Sequence, residues 1–114
     1  MAREAAVLKN CLDYLAMRGI PVMRNNTQGV PLPGGGWRPA PAGARGSPDI
    51  ISALAPFGRA LFVECKGDKG RQSPEQRAWQ AEWERVGALY VLARDTGALH
   101  CAVELALREK GGKA

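Results

Sequence analysis

The spacing of apolar residues changes along the chain, and the changes mark out its elements. From Ala2 to Arg18, Val7, Leu8, Cys11, Leu12 and Leu15 recur every three or four positions, which predicts an amphipathic helix stopped by Gly19 and Pro21. "IPVMRNN", Ile20 to Asn26, fits a short strand. Residues 27–48 carry Gly and Pro so often that neither regular element is expected, and the stretch reads as a long loop. Two apolar runs follow, "DIISAL" and "ALFVECK", and the intervening "APFGR" is short enough for a hairpin that makes them antiparallel neighbours. "SPEQRAWQAEWERVG" opens on a helix-start signal, with Ser73 at the N-cap, Pro74 at the first helical position and Gln76 at the capping-box position; Gly87 ends it. "ALYVLA" reads as a buried strand and "LHCAVELALREKGGKA" as a short closing helix whose basic end, residues 110–114, frays. The predicted order is helix, strand, loop, strand, strand, helix, strand, helix, with no internal repeat.

A chain of 114 residues, 46% of them apolar, suffices for one compact α/β domain over residues 1–114 and is too short for two. Its net charge of +5 suits a polyanionic partner, although many small proteins are basic without binding nucleic acid. Arg3, Glu4, Lys9, Asp13 and Arg18 interrupt the first segment, so it has neither the apolar core of a signal peptide nor the ~20 apolar residues of a spanning helix. A cytoplasmic protein without membrane contact is the expectation. Cys11, Cys65 and Cys101 are scattered and lack CxxC spacing, which argues against a disulfide framework or a zinc cluster and for small buried thiols.

Charge at the ends of the two apolar runs is the unusual feature. Side chains alternate across a strand, so Glu64 and Lys66 share one face while Leu61, Val63 and Cys65 share the other, turned to the core. In a hairpin, Asp49 at the start of the neighbouring strand comes near Glu64 across ~5 Å. Two carboxylates and the exposed carbonyl of Cys65 are enough protein ligands for a hard divalent cation such as Mg²⁺, which keeps several waters. Lys66 beside that metal can orient or deprotonate a water and offset phosphate charge, a set suited to phosphodiester hydrolysis. The same three charges also describe an ordinary cross-strand salt bridge.

Asp49 in "SPDI", followed by Glu64, Cys65 and Lys66 in "ECK", resembles the PD-(D/E)xK nuclease motif. "GSPD", "FVECKGDKGRQSPEQRAWQ" and "GALYVLARD" further resemble the VRR-Nuc family, the virus-type replication-repair nuclease domain, over roughly Glu4 to Asp95. The resemblance implies a restriction-endonuclease-like α/β core, a small mixed sheet flanked by helices. It implies Asp49 and Glu64 as metal ligands for Mg²⁺ or Mn²⁺, Lys66 as the catalytic lysine, and Gln76 as an active-site glutamine. It also brings an acid of the first helix into the site, for which Glu4 is the candidate. Glu4 lies on the helical face of Val7, Cys11 and Leu15 and so is expected to turn toward the protein; alternatively it sits in the first turn simply because the helix dipole favours a carboxylate there. Gln76 can cap Ser73 instead of reaching the site, and one amide is not expected to do both.

The implied activity is metal-dependent hydrolysis of DNA. Stand-alone domains of this size in the family resemble phage-type homodimers acting on branched DNA such as Holliday junctions, since a two-fold pair of sites can cut two strands symmetrically. A flap, nick or end-processing nuclease, or a basic binding protein that has kept the fold without turnover, remain the alternatives. Lys69 and Arg71 beside the proposed metal form a candidate phosphate grip, and Arg38, Arg45 and Trp37 in the long loop are further candidates for nucleic-acid contact. Trp79 and Trp83 suit core or dimer contacts better than base stacking. His100 has no second ligand at metal spacing and receives no role. Gly34 to Gly36 lack the GK[ST] of a phosphate loop.

Overall fold

The computed structural model describes residues 3–25, 30–39 and 44–109. Helix α1 (Glu4–Met17) leads into strand β1 (Val22–Arg24). A two-stranded hairpin, β2 (Val30–Pro31) with β3 (Trp37–Arg38), precedes β4 (Ile50–Leu54) and β5 (Arg59–Cys65). Helix α2 (Pro74–Glu84), strand β6 (Leu89–Ala93) and helix α3 (Thr96–Arg108) complete the order. The main sheet runs β1-β4-β5-β6. β4 lies antiparallel to both β1 and β5, and β6 returns parallel to β5 after the crossover through α2. The result is a small mixed sheet flanked by helices, as expected.

Strand alternation divides the interior in two. Leu61, Val63 and Cys65 pack with Val7, Cys11 and Leu15 of α1 and with Leu99 and Val103 of α3. Phe62, of opposite parity, packs with Tyr90, Ala88 and Trp79 of α2. Each such buried aliphatic side chain contributes about 1.5–3 kcal/mol. The larger core thus lies under α1 and α3, and the α2 side of the sheet is the side to which Glu64 belongs by parity. Trp79 stands edge-on to Phe62 and stacks on Trp83, whose outer edge is exposed.

Three expectations change. The long loop is not free of regular structure, because β2 and β3 pair within it. Gly35 and Gly36 take positive φ (93° and 81°) and let Leu32 N–H reach the Gly36 carbonyl, so the glycines expected to prevent pairing supply its turn. Helix α3 starts at Thr96, ahead of Leu99, because the Asp95 carboxylate caps it through Ala98 N–H. Cys101 is exposed on α3, whereas Cys11 and Cys65 are the buried free thiols that the sequence predicted. His100 is exposed, with Nδ1 3.0 Å from the Tyr14 hydroxyl. Parts of the predicted loop (27–29 and 40–43), Asn26 at the end of the predicted first strand and the basic end at 110–114 lie outside the described residues. No helix among the described residues is long and apolar enough to cross a membrane.

Candidate active site

The β4–β5 register explains how the strand ends converge. Ile50 pairs with Val63, and the same register continued by one residue sets Asp49 opposite Glu64, then Pro48 opposite Cys65. The Cys65 N–H donates to Asp49 Oδ2 at 2.7 Å, so the carboxylate takes the ladder bond that a backbone would otherwise make. Because N–H and C=O of an extended residue point to the same side, the Cys65 carbonyl also faces Asp49, and Pro48 has no N–H to occupy it. The structure brings Asp49 and Glu64 together, and strand geometry turns the Cys65 carbonyl to the same side.

Glu64 is 2% exposed. Its Oε2 receives Gln76 Nε2 at 3.0 Å and lies 3.5 Å from Lys66 Nζ, while Oε1 is buried and has no hydrogen-bond partner. Burial, then the Asp49 carboxylate, push the Glu64 carboxyl up to about 8 against the opposing pull of Lys66. Lys66 is itself nearly covered. Its stem runs beneath Gly70, where an added Cβ would sit 3.2 Å from Lys66 Cδ. An ion pair of Lys66 with Glu64 is present, as the simple salt-bridge reading required. The orphaned oxygen and the raised carboxyl show that this pair leaves the cluster unsatisfied.

Gln76 does the two things expected to exclude each other. Its Oε1 accepts the Ser73 N–H at 2.9 Å, closing the capping box, while Nε2 reaches Glu64. An amide has an acceptor at one end and a donor at the other, so capping uses only half of it.

Glu4 does not join. The first turn of α1 is exposed through Ala6, and the Glu4 side chain makes no hydrogen bond or ion pair among the described residues. Sharing a helical face with Val7 does not bury Glu4, because burial on α1 begins only at Val7. No group of three or more His, Cys, Asp or Glu side chains placed to hold a metal occurs among the described residues. The candidate ligands are two carboxylates and one backbone oxygen. Hard oxygen donors with one unpartnered buried oxygen fit Mg²⁺ or Mn²⁺, which accept such a small protein share of their shell.

Positioning residues that the sequence did not disclose surround this cluster. Asn25, just past β1, donates Nδ2 to Ser47 Oγ at 2.8 Å and to the Pro48 carbonyl at 2.9 Å, and its N–H donates to the Asp49 carbonyl at 2.7 Å. Ser47 Oγ in turn donates to the Ala44 carbonyl. Gly46, at φ 79°, lies so close to the start of α2 that an added Cβ would fall 2.3 Å from the Glu75 carbonyl oxygen. Sequence offers no signal for Asn25, because its partners lie over twenty residues away.

Of the predicted phosphate contacts, Lys69 and Arg71 border an open groove of about 720 Å³ that also gathers Arg77 and Arg94, two cations the sequence reading missed. Arg45 borders a smaller cavity of about 320 Å³ with Gly46, Ser73 and Gln76. Arg38 sits on the exposed β3, and its side chain makes no hydrogen bond or ion pair among the described residues. No family model, no curated protein and no solved structure matches the chain. The geometry therefore carries the functional argument.

Proposed function

We propose that the protein is a divalent-metal-dependent nuclease hydrolysing DNA phosphodiester bonds. One observation carries the reading: a buried glutamate with an unpartnered oxygen, raised to about 8 beside a second carboxylate, is an arrangement that costs stability unless a cation completes it. Asp49, Glu64 and the Cys65 carbonyl would hold Mg²⁺ or Mn²⁺, which when bound would polarise the phosphate and acidify a water.

The chain's own residues supply the rest. Asp49 is fixed through Oδ2 by the Cys65 N–H, which leaves Oδ1 for a ligand. Gln76 holds Glu64 in one rotamer through Oε2 and leaves Oε1 to coordinate. Lys66 is close enough to Glu64 to lie beside a substrate phosphate at the same cluster, where its charge stabilises the pentacovalent phosphorane-like transition state and its donors orient the attacking water. The sequence resemblance to the VRR-Nuc family directs the substrate toward branched DNA, including Holliday junctions, and the assembly toward a homodimer.

The test is cleavage of a labelled four-way junction beside duplex, flap and single-strand controls, in Mg²⁺, Mn²⁺ or EDTA, with Asp49→Asn in parallel. Metal-dependent cutting lost in the variant is expected. Retained binding with no cutting of any substrate in either metal would leave a DNA-binding protein and overturn the reading.

A further inference from the structure

The groove beside β6 is separate from the carboxylate cluster but adjoins it. Leu92, on its floor, is the register partner of Glu64 across the parallel β5–β6 pair. The two side chains lie on one sheet face about 4.8 Å apart, strand to strand. Asp49 flanks Glu64 on the β4 side, so the strand ends present carboxylates toward β4 and the groove toward β6.

Four cations meet in this groove, Lys69, Arg71, Arg77 and Arg94, and Asp68 is its one acidic lining residue. A structural ion-pair cluster would match them with carboxylates. None of the four belongs to the salt bridges of the described residues, and Asp68 offsets at most one charge. The two arginines are instead held by backbone. Arg94 Nη1 donates to the Gly67 carbonyl at 2.6 Å, and Arg77 Nη1 to the Gln72 carbonyl at 2.9 Å. Such bonds fix a guanidinium without neutralising it and leave most of its five donors for another acceptor. Gln72 is fixed as well, through Gln80 Oε1 and the Tyr90 hydroxyl, so the 66–73 segment is a braced wall. Lys69 and Arg71 are exposed and make no hydrogen bond among the described residues.

We propose that this groove binds a backbone phosphate of the nucleic acid flanking the phosphate that is cut, with Lys69, Arg71, Arg77 and Arg94 as its contacts. The word "flanking" rests on the nuclease reading; the phosphate site itself does not. The planar fork of a pre-oriented guanidinium can pair two N–H groups with two phosphate oxygens, and a groove beside the cluster fixes the direction in which a strand crosses the site.

The experiment measures DNA affinity against salt, with Ca²⁺ replacing Mg²⁺, for the wild type and for Lys69→Ala/Arg71→Ala, Arg77→Ala and Arg94→Ala. Lys9→Ala serves as a charge control remote from the groove. Each lost phosphate contact lowers the slope of log K against log[salt] by about 0.7 for single strands to 0.9 for duplex. The double variant is therefore expected to lose about 1.4 to 1.8, and Lys9→Ala nothing. The double variant removes no hydrogen bond of the fold, so it keeps the test clear of misfolding, which thermal melting checks. An unchanged slope in it overturns the proposal. Inorganic phosphate should displace DNA from the wild type beyond chloride at equal ionic strength, and that excess should shrink in the double variant; an undiminished excess overturns the proposal too. A wild type that cleaves nothing while the slope falls would sink the nuclease reading and keep the groove; active cleavage with an unchanged slope would do the reverse.

Discussion

Gln76 donates to Glu64 across 3.0 Å with one end of its amide and closes the α2 capping box with the other. Helix start and buried carboxylate are therefore joined through one side chain. Gln76→Ala removes both links and is expected to cost about 1 kcal/mol of stability from the cap, and about 10- to 100-fold in cleavage from the loosened ligand. Gln76→Glu separates the two, since glutamate serves a capping box equally well but cannot donate to Glu64. Denaturation together with cleavage rates checks this. A near-native cleavage rate in Gln76→Glu would reduce the amide to a cap.

The raised Glu64 carboxyl makes the metal-free protein sensitive to pH in a definite direction. The folded state holds the proton to about pH 8, whereas the unfolded chain releases it near 4.5. Between those values the folded state binds more protons, so stability falls as pH rises, by up to about 1.4 kcal/mol per pH unit. The contribution is complete below the lower value and gone above the upper one. Urea titrations in EDTA across this window should show the slope, and Glu64→Gln should flatten it. Because the metal needs the carboxylate, Mg²⁺ affinity should rise toward pH 8, with proton release on binding below it.

Asp49, Glu64 and Lys66 were legible because a hairpin and strand parity suffice to place them, and both follow from local pattern. The capping role of Gln76 was equally local, but its reach to Glu64 depends on where α2 packs. Glu4 was misread for a related reason: periodicity names a face of a helix without saying where along it burial begins. The β2–β3 hairpin was missed because Gly35 and Gly36 were counted as breakers rather than as the left-handed residues of a turn. Asn25 and Arg94, each just past a strand, owe their places to the β1–β4 and β5–β6 registers, and Arg77 to the packing of α2, none of which a local signal fixes.

Gly46 and Gly58 have nearly the same backbone, φ 79° and 74°, but different surroundings. An alanine Cβ meets nothing within 4 Å at Gly58, whereas at Gly46 it would lie 2.3 Å and 2.5 Å from the carbonyl oxygen and carbon of Glu75. Gly58→Ala should therefore cost only the left-handed strain, about 1–2 kcal/mol. Gly46→Ala adds a backbone clash and should cost about 2–4 kcal/mol. The clash parts the Asp49 approach from the start of α2, so cleavage should fall in Gly46→Ala alone. Equal losses of stability in the two variants would show that the approach to α2 is not a constraint.

Asn25 is the clearest test of whether the segment before Asp49 must be held. Its amide donates to Ser47 Oγ and to the Pro48 carbonyl, and Ser47 has already committed its hydroxyl proton to Ala44. Asn25→Asp keeps the shape but faces a carboxylate onto those two acceptors, with an expected cost of about 1–3 kcal/mol. Asn25→Ala loses the bonds without adding the charge and should cost less. A role confined to stability predicts unchanged cleavage in Asn25→Ala well below its melting temperature. A positioning role predicts instead a lower kcat and weakened Mg²⁺ dependence with DNA affinity in Ca²⁺ unchanged, since Asn25 touches the backbone that carries Asp49 and borders neither arginine-lined cavity. We expect the second outcome, because a metal ligand displaced by a fraction of an ångström loses coordination long before the strand it opens comes apart.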